Sequence, residues 1–252
     1  MGGGAIFMTA INNAAEWRNK LAFVTCATDS NVLGRHLLAS PCLKGRTYEL
    51  AICFGVSSAA AAFNTEMARR PQAEWLVWVH QDVFLPPGWD ERFVAAIREA
   101  EDRFSRLAVV GVYGVSGAGA QAVRAGHVLD RGQSLKEPAA LPARAESLDE
   151  LLFAVRSDTG LMLDPALGFD FYATDVALTA LERGLDVAVV DACCEHWSAT
   201  PRIKVPKSIV DRVSASGEVF EKKWTHRLPL DTPCFSIGGI GDVATQCRAL
   251  SA

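Results

Sequence analysis

The sequence has little net charge and no cluster of basic residues. Its 25 Lys and Arg are balanced by 29 Asp and Glu, which gives a formal net charge of −4 at pH 7. A protein surface that binds nucleic acid usually carries clustered positive charge. We therefore expect no nucleic-acid partner.

Long hydrophobic runs are also missing. No apolar stretch approaches the ~20 residues that a helix needs to cross a bilayer, so no transmembrane segment is expected. Residues 1–8 carry neither a basic leader nor a clear cleavage site and are not interpreted as a signal peptide. Because 50% of the residues are hydrophobic and 21% are charged, the composition is that of a globular protein. We expect a cytoplasmic location.

The seven cysteines lack the C-x₂₋₄-C spacing that is typical of structural zinc sites. Cys26 and Cys53 lie in or beside apolar runs, and Cys193 and Cys194 follow another. This pattern is typical of small buried hydrophobic residues in a reducing compartment. A thiolate metal site at residues 193–196 is the alternative, and the adjacent cysteines match it poorly.

The first half of the chain alternates apolar runs with helical patterns. Strands are predicted at residues 21–25, 48–54, 74–79 and 107–112, and helices at residues 31–38, from Ser57 or Ser58 to about 70, and at 88–103. The run at 74–79 has no polar alternation, as expected for a strand that is covered on both faces. Strand–helix–strand units with short connections favour a parallel sheet flanked by helices.

The middle of the chain loses this regularity. Residues 114–145 are rich in Gly, Ala and Pro, which predicts a mobile loop with one small edge strand at 126–131. Regular patterns return as a strand at 148–155, a helix at 172–183, a strand at 186–190 and a helix at about 208–224, followed by a tail. The predicted organisation is an extension (1–20), one domain (21–200) and a C-terminal helix and tail (201–252).

Polar residues follow the apolar runs at three places, which are residues 80–82, 170–175 and 195–198. Ligands bind at the carboxyl ends of strands in open α/β sheets. An Asp oxygen and a His nitrogen can hold a divalent cation against a diphosphate, and a separate carboxylate can accept a hydroxyl proton. The local alternatives are a turn cap for Asp82 and an exposed loop position for His196.

The order and spacing of these segments, from about residue 21 to 198, resembles the family 2 glycosyltransferases. The segment at 23–29 (FVTCATD) resembles the first strand and nucleotide-binding loop, and 57–64 (SSAAAAFN) resembles the helix whose Asn faces the nucleotide-sugar. The segment at 80–89 (HQDVFLPPGW) takes the place of the Asp-x-Asp motif, as in a bacterial branch that writes it His-Gln-Asp. The segment at 163–175 (LDPALGFDFYATD) resembles the one that ends in the catalytic carboxylate, and 180–190 resembles the helix and strand that follow it.

This resemblance implies an α/β protein with the GT-A (nucleotide-diphospho-sugar transferase) fold, in which helices flank a mixed, mostly parallel sheet. It also implies a metal-dependent inverting transferase, hexosyltransferase-like, that moves a sugar from a nucleotide-sugar donor to a hydroxyl acceptor. Asp82 and His196 would hold Mn²⁺ or Mg²⁺, and Asp175 would be the catalytic base. The residues expected at the nucleotide-sugar are Thr25, Asp29, Asn64, His80 and Gln81.

The sequence departs from the family pattern at several points. His80 replaces the first Asp of the motif, Thr174 stands where another acid usually precedes the base, and no acid follows the second strand, so the nucleotide base is left open. A non-catalytic GT-A domain that binds a nucleotide-sugar or glycan is therefore one alternative. A nucleotidyltransferase is the other, although residues 31–35 match a Gly-rich phosphate loop poorly.

The acceptor is open among glycans, lipid-linked molecules and proteins, and so is self-association into homo-oligomers. Asp149 is a candidate for the acceptor side and Trp197 for sugar stacking, whereas Trp75, Trp78 and Trp89 are expected in the core. We further expect residues 114–145 to close as a lid over the donor, with Arg124 and Arg131 reaching its diphosphate. A passive insertion is the alternative.

Overall fold

The computed structural model describes residues 20–44, 48–201 and 203–251, with a seven-stranded sheet at its centre. The spatial order of this sheet is β2 (Glu49–Phe54), β1 (Leu21–Ala27), β3 (Trp75–Val79), β11 (Leu152–Arg156), β5 (Leu107–Gly111), β12 (Asp186–Val189) and β9 (Ala143–Arg144). β1 pairs in parallel with β2 and β3, and β5 pairs in parallel with β12. Because β11 is antiparallel to both β3 and β5, these two share one direction, and only β11 and β9 oppose it. The predicted mixed, mostly parallel sheet is confirmed.

Helices cover both faces of this sheet. They are α1 (Ser30–Arg35), α2 (Ala59–Arg69), α3 (Trp89–Arg103) and α4 (Tyr172–Glu182). Alternate residues of β1 pack on opposite faces: Phe23 joins Trp89 of α3, whereas Val24 joins Phe63 of α2. Every residue of β3 is buried, which explains its unbroken apolar sequence.

A second sheet contradicts the loop predicted at residues 114–145. Its order is β10 (Ser147–Leu148), β6 (Tyr113–Ser116), β7 (Val123–Asp130), β13 (Cys194–His196) and β4 (Val83–Phe84), with β8 (Gln133–Lys136) also on β7. The segment at 126–131 is not a small edge strand, since β7 pairs with β6, β8 and β13. Three of its pairings, β10 with β6, β13 with β7 and β13 with β4, join segments that are distant in the sequence, so no local pattern reports them.

The strand predicted at 148–155 is interrupted. β10 ends at Leu148, β11 begins at Leu152, and the residues between them form a turn that joins the two sheets. The turn leaves Asp149 and Glu150 outside both sheets, although both side chains stay half-buried. It thereby brings Asp149 and Glu150 to the edge of a cavity that is described below.

The C-terminal part contains more structure than the predicted helix and tail. Helix α5 (Lys207–Lys223) is followed by a hairpin of β14 (Leu230–Asp231) and β15 (Ser236–Ile237) and by α6 (Asp242–Ser251). An apolar cluster that includes Phe171, Phe220 and Trp224 packs α5 onto the start of α4. No helix in the described residues is long and apolar enough to cross a membrane. The predicted extension lies outside the described residues except for Lys20.

Candidate metal site and its surroundings

Three side chains that can bind a metal come together where the carboxyl end of β3 meets the second sheet. His80 and Asp82 follow β3, and His196 ends β13. β13 pairs antiparallel with β4, with His196 opposite Val83, and this pairing brings His196 beside Asp82. Nε2 of His196 lies 3.6 Å from Oδ1 of Asp82. One potential ligand atom from each of the three residues lies within 4.8 Å of the others.

Neighbouring groups orient both imidazole rings. Nδ1 of His196 lies 2.9 Å from Oδ1 of Asp130, which is opposite His196 in the parallel pairing of β7 and β13. A carboxylate on one ring nitrogen is a common support for a histidine that binds metal through the other. Nε2 of His80 lies 2.9 Å from the Tyr172 hydroxyl. Burial lowers the pKa of His80, which favours the neutral imidazole that metals bind.

The donor set of two imidazoles and one carboxylate fits a divalent metal ion. All three residues are half-buried, so each keeps access to a ligand as well as support from the protein. Imidazole nitrogens suit transition metals, whereas Mg²⁺ prefers oxygen ligands. This chemistry fits Mn²⁺ better than Mg²⁺.

Gln81 and Asp29 lie next to this cluster, but their side chains already have partners. Oε1 of Gln81 accepts hydrogen bonds from the backbone N–H groups of Thr28, at 2.9 Å, and Asp29, at 3.1 Å. The Asp29 carboxylate caps α1. These bonds fix the loop after β1 against the motif that contains His80. Thr25 is fully buried within β1, so a nucleotide does not reach its hydroxyl in this conformation.

The side chains of Asn64 and Asp175, which were predicted to act at the donor and as the base, contact other residues of the protein. The Asn64 amide donates to the Leu163 carbonyl and accepts from the Leu163 N–H, each at 2.9 Å, and so ties α2 to the segment before α4. Asp175 is 1% exposed and accepts a hydrogen bond from Nε1 of Trp224 at 2.8 Å. Nζ of Lys223 lies 2.7 Å from the same carboxylate oxygen. The roles of Asn64 in donor binding and of Asp175 as the base stay predictions.

The three remaining candidates for contacts with the donor or a sugar, Trp197, Arg124 and Arg131, also contact protein groups. Trp197 is 40% exposed but stacks on His36, with ring centroids 6.1 Å apart. Arg124 donates to the carbonyls of Thr232 and Pro233, which holds it against the C-terminal hairpin. Arg131 lies nearer to the metal cluster than Arg124 does, because its backbone N–H donates a hydrogen bond to the His196 carbonyl at 2.8 Å.

Burial raises the pKa of the Cys194 thiol well above its ordinary value. Among the described residues, neither Cys193 nor Cys194 belongs to a group of side chains that could hold a metal, which disfavours the alternative thiolate site. The large aromatic residues Trp75, Trp78 and Trp89 are buried, as predicted.

Sequence reasoning missed two groups at this site. Asp130 falls in the segment predicted as a small edge strand, and only its pairing with His196 reveals its position. Glu150 falls within the predicted strand at 148–155, where the turn before β11 was not foreseen. A polar Asp-Glu pair inside an otherwise apolar run was the available signal for that turn.

No protein-family model matches this sequence, and no curated protein matches it by sequence. Solved structures do match its fold. The mannosyltransferase PcManGT from Pyrobaculum calidifontis, in complex with GDP-Man and Mn²⁺, is 12% identical, with a TM-score of 0.54 over 97% of this chain and 78% of that one. Weaker likenesses are GalNAc-T7 with UDP, GalNAc and Mn²⁺ (TM-score 0.48, 11% identity, 98% and 63% covered) and S. aureus TarS 1-349 (0.45, 12%, 82% and 72%). The chain has the GT-A glycosyltransferase fold.

Proposed function

We propose that this protein is a metal-dependent, inverting glycosyltransferase that uses a nucleotide-sugar donor and a hydroxyl acceptor. The observation that carries the proposal is the cluster of His80, Asp82 and His196 at the edge of a GT-A fold. Its support is the Asp130 carboxylate behind His196, since a ring held by a second carboxylate is typical of metal sites. Mn²⁺ is the proposed ion because two of the three ligands are imidazoles.

His80, Asp82 and His196 would hold the ion at the donor diphosphate. When bound, the ion neutralises the negative charge that develops on the leaving group. Gln81 and Asp29 would position the loop after β1 beside the nucleotide through the hydrogen bonds described above. In the transfer, the acceptor oxygen bonds to the anomeric carbon while the bond from that carbon to the diphosphate breaks. The nucleoside diphosphate leaves, the acceptor proton goes to a carboxylate, and the single displacement inverts the anomeric centre.

A binding experiment with Asp82→Asn tests the metal assignment. UDP and GDP are titrated with and without Mn²⁺, and thermal unfolding is followed. A ligand at 100 times its Kd stabilises a protein by about 2.7 kcal/mol. For a chain of this size that corresponds to a rise in Tm of roughly 5–11 °C. Wild type should show this rise with one of the two nucleotides in the presence of Mn²⁺, and Asp82→Asn should not.

Asp102→Asn is the matched control, because Asp102 is exposed at the end of α3, away from the cluster. It should behave as the wild type does. If Asp82→Asn binds a nucleoside diphosphate with Mn²⁺ as tightly as the wild type, the metal assignment is wrong.

A non-catalytic domain that binds a nucleotide-sugar is the second candidate. The observation that favours it is the covered carboxylate of Asp175, which Trp224 and Lys223 occupy. Slow hydrolysis of UDP- and GDP-sugars with Mn²⁺ but without acceptor separates the two functions. Tight, Mn²⁺-dependent donor binding without any turnover would favour the non-catalytic domain.

A further inference from the structure

A cavity of about 530 Å³ lies between the turn before β11, the start of α4 and helix α5. Most of its wall is apolar, and α5 contributes Ile209, Val210 and Val213. Three carboxylate residues lie on the same wall as the turn and α4: Asp149, Glu150 and Asp170. An apolar cavity with a few polar groups on one side is typical of a small-molecule site.

Two of these three carboxylates have protein partners. The Asp170 carboxylate accepts hydrogen bonds from Nε and Nη2 of Arg212, each at 3.0 Å, and from the Ser216 hydroxyl at 3.2 Å. Asp149 accepts a hydrogen bond from the Leu151 N–H at 3.0 Å. Glu150 differs, because its Oε1 is buried without a hydrogen-bond partner among the described residues. Buried polar atoms are rarely left unpaired in native proteins, so a ligand that donates a hydrogen bond would complete this group.

Tyr172 joins the cavity to the metal cluster. Its backbone lies beside the Glu150 carboxyl, and its hydroxyl lies 2.9 Å from Nε2 of His80. A single residue therefore lies next to both Glu150 and a candidate metal ligand. A molecule in the cavity would present its polar end towards the side on which the donor diphosphate is proposed to bind.

We propose that this cavity binds the apolar, alkyl or aryl part of a hydroxyl-bearing acceptor, and that Glu150 receives the proton of the reacting hydroxyl. The inference rests on the proposed glycosyl transfer. The acceptor oxygen bonds to the anomeric carbon, the bond to the nucleoside diphosphate breaks, and the hydroxyl proton moves to the Glu150 carboxylate. Burial, together with the carboxylates of Asp170 and Asp149, raises the pKa of Glu150 well above its ordinary value. This shift favours the protonated form of Glu150, which is the form that proton transfer from the acceptor would produce.

Calorimetric binding of octyl β-glucoside and methyl β-glucoside, both below micelle-forming concentrations, tests the apolar site. Each buried methylene strengthens binding by about fourfold. The octyl compound should therefore bind more than tenfold more tightly than the methyl compound. Ile209→Asp should abolish this difference, and the nearly isosteric Val213→Thr should reduce it. Val219→Asp is the matched control, because Val219 lies on the exposed face of the same helix.

Equal binding of the two glucosides by the wild type, or a full preference for the octyl compound in Ile209→Asp, would overturn the apolar site. Thermal unfolding of each variant confirms that it is folded. Failure of the proposed function would be recognised differently. The wild type would then show no Mn²⁺-dependent nucleotide binding, whether or not it binds the glucosides.

The role of Glu150 is tested with Glu150→Gln, for which Glu99→Gln on the exposed side of α3 is the control. Glu150→Gln should keep Mn²⁺-dependent donor binding and octyl glucoside binding but lose transfer by roughly 10²–10⁴-fold, as is typical for removal of a general base. A loss smaller than tenfold would remove Glu150 from this role. No transfer to octyl glucoside by the wild type, with donor and glucoside both bound, would remove it as well.

Discussion

Replacing Asp175 by asparagine tests whether this buried carboxylate joins two helices or performs chemistry. Asp175 lies in the first turn of α4, and its partners Lys223 and Trp224 lie at the end of α5. The variant keeps the side-chain volume and an oxygen that can accept the Trp224 hydrogen bond. It removes the negative charge that both partners face.

The expected loss of stability follows from these two contacts. A hydrogen bond to a charged group contributes about 1.5–3 kcal/mol and a neutral one about 0.5–1.5 kcal/mol, so the Trp224 bond loses about 1 kcal/mol. Lys223 is one-third exposed and keeps an oxygen of Asp164 at 2.7 Å, so its loss is no more than about another 1 kcal/mol. The sum is about 1–2 kcal/mol, which corresponds to a fall in Tm of roughly 2–8 °C for a chain of this size.

Differential scanning calorimetry and a transfer assay on the same samples give the answer. A structural Asp175 predicts the fall in Tm with transfer largely kept. A double-mutant cycle with Lys223→Met should then give a coupling energy of about 0.5 kcal/mol or more. An unchanged Tm together with a loss of transfer above about a hundredfold would refute this reasoning and support Asp175 as the base.

Two further predictions concern the support of the metal cluster and the second sheet. Asp130→Asn should weaken Mn²⁺ binding by about 10–100-fold, because the carboxylate that orients His196 is lost. Isothermal titration calorimetry with Mn²⁺ measures this change. An affinity equal to that of the wild type would exclude the supporting role of Asp130. Gly126→Ala should lower stability by about 2 kcal/mol or more, since φ is 121° and a Cβ would lie 2.7 Å from Cα of Tyr113. Gly34→Ala, with open space around it, is the control in urea unfolding, and an equal effect of both changes would contradict this explanation.

The central sheet was predictable because its signals are local. β3 is apolar throughout, since both of its faces are covered, and the helix after β2 begins at a capping Ser58 that accepts from the Ala61 N–H. The sequence also placed the His80–Asp82 segment correctly at the end of β3. Their approach to His196 was expected from the family resemblance, and the pairing of β13 with β4 now explains it.

The second sheet was not predictable as a whole because several of its pairings connect segments that are far apart in the sequence. β7 lies between β6, its neighbour in the chain, and β13, which follows more than 60 residues later. No local pattern reports such a pairing, and residues 126–131 were predicted only as a small edge strand. In the structure Gly126 allows β7 to approach the backbone at Tyr113. The support of His196 by Asp130 depends on that pairing, so it was missed together with the sheet.

The C-terminal segment is joined to the segment around the start of α4 by polar contacts as well as by apolar packing. Arg212 binds Asp170 with two hydrogen bonds, and Lys223 bridges Asp164 and Asp175, so α5 is fixed on both sides of the start of α4. The same α4 carries Tyr172, whose hydroxyl contacts His80. A shift of α5 would therefore change the wall of the apolar cavity and the orientation of a candidate metal ligand together. For this reason binding of an apolar molecule against α5 should be thermodynamically coupled to Mn²⁺ binding, and by linkage each should change the affinity of the other by the same factor.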